Sequence, residues 1–565
     1  MDKKTIVAFF LIAIILMVMP YYYEFLGLTP SNSKTIDENK TIDGAYLHEK
    51  QNSQRFLDND STSYNSLNTE SKEFVVFLDS PLYTAGISSQ GGGSIVSFLL
   101  KEYIVNDTSL VNLIDTDFNG DNLQLEFTDF NGNQITLSEF WSIENSYNNN
   151  DTISIDSPIK LSFSSSIEGN QIRKDLTFYP NSYTINVFVD LQKISDRYIA
   201  QERFTLNWNG GLTSTEPNKK DEASFFSANL SQGQEISKHG GKVGKKIAST
   251  GRTDWASIRS KYFSAAIIPI TTSNYGVIEA KNNNLIKTSI NKDVPFYKMG
   301  VGFSSSGPAE ALIYLGPLQY DRIKELGVGL ENTLSLGLAP IRFIGRAILF
   351  LLVSLQGFIP NYGFVLIIFS VLIKVLVYPL TKKSYQSMKE IQTIQPEVTK
   401  LREKFKNDPQ KLNQATMNLY KEHGVNPLGG CLPMLLQMPL LFALFIVFRS
   451  TIELRGAPFI FWISDLSQPD ALIPLPFNIP LYGDQISLLP LLMGVSMFVQ
   501  QKMTTSQANP QQKIMTQFMS VFFVILFNQF PSGLNLYYTL FNILTILQQK
   551  YLVHPKGSTK ATQIK

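Results

Sequence analysis

Cysteine is all but missing from this 565-residue chain: Cys431 stands alone, so no disulfide can form within it. Histidine is nearly as scarce. His48, His239, His423 and His554 leave little from which to build a metal centre or a histidine-based catalytic site. A surplus of one charge is lacking too. The formal net charge is +2, which gives no footing for nucleic-acid binding by bulk electrostatics. No pairing of a nucleophile with a base stands out, so neither an enzyme nor a cofactor or metal protein is expected. Apolar residues make up 44% and charged ones 17%, an ordinary average that hides a strong segregation, because the apolar residues gather at the two ends.

The first apolar run spans Ile6 to Met19 behind Lys3 and Lys4, and it leaves through Pro20, Tyr21, Tyr22 and Tyr23. Three tyrosines suit a headgroup-level aromatic belt better than a peptidase site, so residues 1–28 are expected to be an uncleaved transmembrane anchor. Residues 29–73 have the polar composition of a flexible linker. Over 74–335 the pattern shifts to short alternating runs, such as Leu123–Phe127, Thr184–Val189 and Phe204–Trp208, punctuated by Gly91–Gly93 and Asn131–Gly132. Half-buried strands alternate in this way, and the region reads as a large β-sandwich domain outside the cytoplasm. Trp208 and Trp255 read as core residues, and His239 as part of a lysine-rich loop.

From about 336 the chain turns membranous. Residues 336–358 carry Arg342 and Arg346 one turn apart on an apolar segment, as in a helix lying in the bilayer interface. Apolar runs follow at about 362–380, 428–448, 487–503, 518–530 and 534–552, five spans within 359–552. Between the first two lies a basic stretch with two helices, one on the seam of Met388, Ile391, Ile394, Val398, Leu401 and Phe405. The other starts at Asn407-Asp408-Pro409, where a stop, an N-cap and an N1 proline stand in order. The pair forms a helical hairpin over 382–424. Its lysines and those of the tail 553–565 place both, with the N-terminus, on the cytoplasmic side. The fold expected is an α-helical membrane bundle, an N-terminal anchor plus a five-helix core, with a large periplasmic β-sandwich domain.

One ionisable residue lies inside a span. Lys374 shares a helix face with Ser370, Tyr378 and Thr381, and it sits close enough to the cytoplasmic end to snorkel. In the last span Asn535, Tyr538, Asn542, Thr545 and Gln549 form a polar stripe; Ser487, Gly494 and Gln501 do so at heptad spacing, and Gln437 lies between Pro433 and Pro439. Such stripes either glue helix to helix or line a wet cavity. Glue accounts poorly for a lysine with no Asp or Glu in the spans around it, and the cavity is the reading favoured.

Asn361 to Phe364 opening a span, Lys374 within it, Tyr378 to Thr381, Asn426 to Cys431, Gln437 to Pro439, Gln501 to Met503, Phe530 to Gly533 and Tyr537-Tyr538 together resemble the YidC/Oxa insertase family, in its Gram-negative form with a large periplasmic domain. The resemblance implies insertion and folding of nascent inner-membrane proteins, alone or with the Sec translocon, through a hydrophilic groove open to cytoplasm and lipid. It implies a groove containing Ser370, Lys374, Gln437, Gln501, Tyr538 and Asn542, and a slide for the substrate's apolar segment past Met434, Met438 and Phe523. The partners implied are nascent membrane proteins, the Sec translocon, membrane lipids, and ribosomes or targeting factors at the cytoplasmic hairpin and tail, with no sequence-specific nucleic-acid binding. The family pattern usually has arginine where this chain has Lys374; lysine keeps the point charge but loses the bidentate fork. Two rival readings are a secondary transporter, which predicts internal repeats that the sequence does not display, and a membrane-anchored carbohydrate-active enzyme. The latter needs positioned acid and base groups where the β-region offers His239 alone, which leaves binding rather than catalysis open.

Overall fold

The computed structural model describes residues 72–105, 109–114, 122–145, 147–241, 244–281, 296–334, 336–337, 339–406, 408–425, 432–504 and 510–552. At 281, 339, 340, 409, 432–436, 504, 510–516 and 552 it describes the backbone alone. The anchor over 1–28, all but the end of the linker over 29–73, the 426–431 motif and the tail over 553–565 lie outside the described residues. The chain divides into two units, Met1–Gly316 and Pro317–Lys565.

The first unit is built of sheets. A nine-stranded sheet has Ala309–Pro317 and Thr184–Asp190 near its middle. A five-stranded sheet centres on Tyr83–Ser88. The third sheet has six strands: β1 (Asn122–Thr128), β2 (Gln134–Leu137), β3 (Arg203–Asn209), β4 (Lys246–Thr250), β5 (Tyr275–Lys281) and β6 (Phe296–Ser304), in the antiparallel order β4-β5-β6-β3-β1-β2. The alternation in the sequence decides which face is buried. On β6 Tyr297, Met299, Val301 and Phe303 point into the core, joined from β3 by Phe204, Leu206 and Trp208. Trp255 is equally buried, and the Trp208 indole N–H donates to the Gly211 carbonyl at 3.1 Å.

Two local features explain how the unit closes. Gly91, Gly92 and Gly93 all adopt positive φ, at 58°, 72° and 100°. A Cβ at Gly92 would stand 2.7 Å from the Trp141 ring, and one at Gly93 would stand 2.6 Å from Leu176, so both conformation and space demand glycine. Lys174, fully buried, fastens this turn: its Nζ donates to the carbonyls of Leu123 at 2.6 Å, Gly91 at 3.0 Å and Gly93 at 3.4 Å. Burial pushes the Lys174 ammonium down to about 7, while three carbonyl acceptors match its three N–H donors. His239 departs from the loop expected of it. It ends a strand, Glu235–His239, buried, with Gly241 N–H donating to Nδ1 at 3.3 Å and Nε2 set 2.8 Å from the Lys245 carbonyl. The ring is therefore neutral, with its proton on Nε2.

The second unit is helical: α1 (Ala339–Gln356), α2 (Tyr362–Thr393), α3 (Gln395–Lys404), α4 (Pro409–Glu422), α5 (Leu432–Ser450), α6 (Leu488–Thr504), α7 (Pro510–Phe527) and α8 (Ser532–Leu547), the last running on into a π turn to Leu552. Side-chain caps fix several starts. Asn361 Oδ1 accepts from the N–H of Gly363 and Phe364, and Asp408 Oδ1 accepts from Lys411 N–H. Asp470 does this for α6, accepting from Leu488 and Leu489 N–H and also from the Trp462 indole. The segment before α6 forms a two-stranded hairpin, Ala471–Ile479 with Gly483–Ser487. Prolines at 474 and 476 hid it from the sequence reading, and their missing N–H groups fit an edge position.

By length and composition one described helix, α2, is apolar enough alone to cross a bilayer; apolar stretches in α5 and α7 are shorter. Large apolar side chains face outward on several helices. Val375 and Leu376 of α2, Val495 of α6 and Val521 of α7 are each more than 60% exposed, a surface that water does not tolerate but lipid does. On α1 Phe343 and Phe350, seven residues apart, are both 76% exposed, while Arg346 reaches Asn332 Oδ1 at 3.2 Å. An exposed aromatic ridge beside a tethered arginine is the pattern of a helix lying in an interface.

Candidate functional site

Lys374 lies two turns above the inner end of the apolar part of α2, buried against α8. Its Nζ donates to Thr545 Oγ1 at 2.7 Å and stands 4.4 Å from the centre of the Phe541 ring and 5.9 Å from that of Tyr385. Among the described residues no carboxylate pairs with it. Thr545 reaches it because α8 packs along α2, and the cation–π contact with Phe541 favours a charged amine. One turn further, Gln548 Nε2 donates to Thr381 Oγ1 at 3.1 Å, so α2 and α8 are pinned at two levels.

Around this seam the helical unit holds polar atoms without partners. Asn535 Oδ1, the Tyr538 hydroxyl and Gln548 Oε1 are buried and unbonded, and all lie on α8 or its continuation, while Tyr537 pairs with Gln437 and Gln549 with Tyr385. A buried polar atom left alone costs about 1–3 kcal/mol, so a row of them on one helix calls for water or a polar guest. Tyr538 meets Phe527 edge-on, with centroids 5.8 Å apart. Asn542, half-buried, donates from Nδ2 to Ser496 Oγ at 3.2 Å and so ties α8 to α6.

Other site candidates fall elsewhere. The Ser370 hydroxyl turns back onto its own helix and donates to the Leu366 carbonyl at 2.7 Å. The heptad row on α6 is a seam with α7. Ser487, just ahead of α6, donates from its N–H and its hydroxyl to Asn528; Gly494 meets Val524; Gln501 accepts from Ser520 at 2.8 Å. Spacing told that these three share a face but not which helix covers it. Gln437 and Met438 are half-buried on α5, and the Met434 side chain lies outside the described residues. Phe523, half-buried on α7, meets Phe522 and Phe527 edge-on, and Phe522 in turn stacks on Phe518. Phe541, Tyr385, Gln548 and Ser496 were not among the candidates. Only Gln548, next to the striped Gln549, carried a signal, because the π turn brings both onto the buried side.

Comparison with known proteins agrees with this architecture. A family described as the YidC periplasmic domain matches residues 76–351, and one described as 60Kd inner membrane protein matches residues 354–559. The chain is 34% identical over 565 residues to the membrane protein insertase YidC of Chlorobium limicola, covering 98% of this chain and 94% of the relative. It is 35% identical over 494 residues to that of Chloroherpeton thalassium, covering 85% and 83%. Among solved structures it is similar to an active YidC insertase with its first transmembrane domain resolved, at 17% identity and a TM-score of 0.36, covering 86% of this chain and 94% of that one. With nearly its whole length shared at this identity, the chain belongs to the YidC family of membrane protein insertases.

Proposed function

We propose that Lys374 is the fixed positive charge of a wet groove between α2 and α8, and that it receives the acidic polar tail of a nascent membrane protein. Membership in the family makes the chain an inner-membrane insertase with a periplasmic β-rich domain, not an enzyme, and its substrates are nascent membrane proteins. The transporter reading has no support from any relative. The observation that carries the proposal is the buried, carboxylate-free Lys374 beside a helix bearing three unpartnered polar atoms, on Asn535, Tyr538 and Gln548. A groove of this kind shortens the path through hydrocarbon, so fewer polar groups of the substrate are stripped of water at once.

Asn542, Tyr538 and Gln437 complete the polar lining in this reading, while Gln501 stays in the α6–α7 seam. Ser370 shapes the helix behind Lys374, and Met434, Met438 and Phe523 offer the slide for the apolar segment. The α3–α4 hairpin and the tail dock ribosomes or targeting factors, the termini lie in the cytoplasm, and the chain works with the Sec translocon on some substrates. The exposed apolar side chains of α1, α2, α6 and α7 meet lipid.

The test is insertion of a single-span protein with an acidic tail into proteoliposomes containing this chain alone, read by protease protection. Protection by the native chain, lost in Lys374→Glu and kept in Lys374→Arg, supports the groove. Equal protection by all three removes Lys374 from the mechanism.

A further inference from the structure

The outer face of the six-stranded sheet is not the solvated surface that an antiparallel sheet ordinarily presents. It forms a groove of about 510 Å³, inside the range of small-ligand sites, roughly 300–1,000 Å³. Polar side chains lie buried on its floor. Glu126 of β1 accepts from Asn207 Nδ2 of β3 and from Lys298 Nζ of β6, both at 2.8 Å. Asn207 is 1% exposed, yet its Oδ1 has no partner among the described residues; neither has Arg203 Nε, two positions before it on the same face. The Arg203 guanidinium lies 6.0 Å over the Tyr275 ring.

β6 gives the lining only Lys298, and two glycines follow it on the same face. On β6 the core-facing positions are Tyr297, Met299, Val301 and Phe303, while the groove-facing ones run Lys298, Gly300, Gly302. Two successive glycines on one face weaken a strand and give nothing to packing, and such positions mark a close approach by something else. Here they let neighbours lean in. A Cβ at Gly300 would stand 2.3 Å from Asn207 Oδ1, and one at Gly302 would stand 2.8 Å from the Tyr275 Cβ. The glycines thus let Asn207, Thr205 and Tyr275 settle close against β6 and set the depth at which these side chains line the groove.

We propose that this groove binds a neutral, polyhydroxylated chain, an oligosaccharide segment. Three cations (Arg203, Lys246 and Lys298) and two carboxylates (Glu126 and Glu279) line it, so an anion and a cation would each meet like charge. Hydroxyls both donate and accept, which matches Asn207 Oδ1 waiting for a donor and the guanidinium waiting for an acceptor. Tyr275 adds an aromatic ring to the lining, the kind of surface against which the apolar side of a sugar packs.

The full chain in lipid nanodiscs, free of sugar-headed detergents, is titrated calorimetrically with maltotriose, with the trisaccharide of N-acetylglucosamine, and with a neutral tripeptide amide. Saturable binding of at least one trisaccharide is expected, weakened about tenfold or more in Arg203→Gln, where a charge-assisted contact is lost. Lys246→Ala, at an exposed rim position with no ion pair among the described residues, serves as a second variant should the first misfold. Failure of both sugars to bind overturns the proposal, whether or not the tripeptide binds. Binding that is unchanged in both variants places the sugar elsewhere and overturns it equally.

Discussion

Gly494 is the tightest point of the α6–α7 crossing, and a single methyl group there tests the packing described above. A Cβ would lie 2.2 Å from Val524 Cγ2, more than 1 Å inside ordinary contact. Valine is stiff at χ1, so it cannot simply swing its methyl aside, and the helices must part or Val524 must leave its rotamer. Overpacking of this kind costs about 1–3 kcal/mol. In a unit of this size that lowers a melting midpoint by about 2–12 °C. Val524→Ala alone removes two half-buried carbons at a cost of about 1 kcal/mol. In the double variant the new methyl fills the space that Val524 vacates, so the two losses should fall short of their sum by about 1 kcal/mol or more. The assay is the thermal midpoint of the full chain in detergent, followed by retention of the monodisperse peak on size exclusion, for the four proteins of the cycle. An unchanged midpoint in Gly494→Ala, or losses that simply add, would refute the reasoning and return the heptad row to a cavity wall.

A substrate carboxylate about 5 Å from the Lys374 ammonium, at an effective dielectric of about 20, gains about 3 kcal/mol, so Lys374→Gln should slow insertion of acidic-tailed substrates roughly 100-fold and leave neutral-tailed ones near the native rate; equal slowing of both would make Lys374 structural. Burial lowers the pKa of His239 from its ordinary 6.5, so the folded ring stays neutral where the unfolded chain takes up a proton. Its contribution to stability is complete above about pH 6.5 and declines as pH falls below that value, and the drop in melting midpoint between pH 7.5 and 5.5 should be smaller in His239→Gln. Gly92→Ala combines a positive φ with a 2.7 Å approach to Trp141 and should cost about 2–4 kcal/mol, seen as a lower urea midpoint in the indole fluorescence of the first unit. Asp470→Ala removes three acceptor contacts at the start of α6, and a loss of about 1–2 kcal/mol in the same melting assay is expected.

Local chemistry was legible where it acts over a few residues. The alternation of Phe204, Leu206 and Trp208, the Asp408 cap, and the Gly91–Gly93 turn all appear where sequence rules put them, because each rests on neighbours in the chain. What escaped depends on partners distant in sequence. Ser487, Gly494 and Gln501 share a face on any helix, but only the fold brings Asn528, Val524 and Ser520 against them. His239 sits among glycines and lysines that read as a loop, yet pairing with Ala228 makes it a strand end. Lys374 was identifiable as a buried charge; its anchorage to Thr545 and Phe541 required knowing that α8 lies along α2.

The length of α2 has a mechanical side. The helix runs unbroken from Tyr362 to Thr393, and at 1.5 Å per residue it reaches about 28 Å beyond Lys374 before the α3–α4 hairpin begins. A push on that hairpin acts on a long arm, so a tilt of a few degrees at the pivot becomes a displacement of an ångström or more at the tip. Pro379, five residues past Lys374, deletes one backbone hydrogen bond and marks where such a rod flexes. Gln392, near the far end, is tethered to the Met503 carbonyl at the foot of α6, a stay that limits the swing. Load on the α3–α4 hairpin and the attitude of the buried amine are thus linked through one continuous helix with a single flexible point between them.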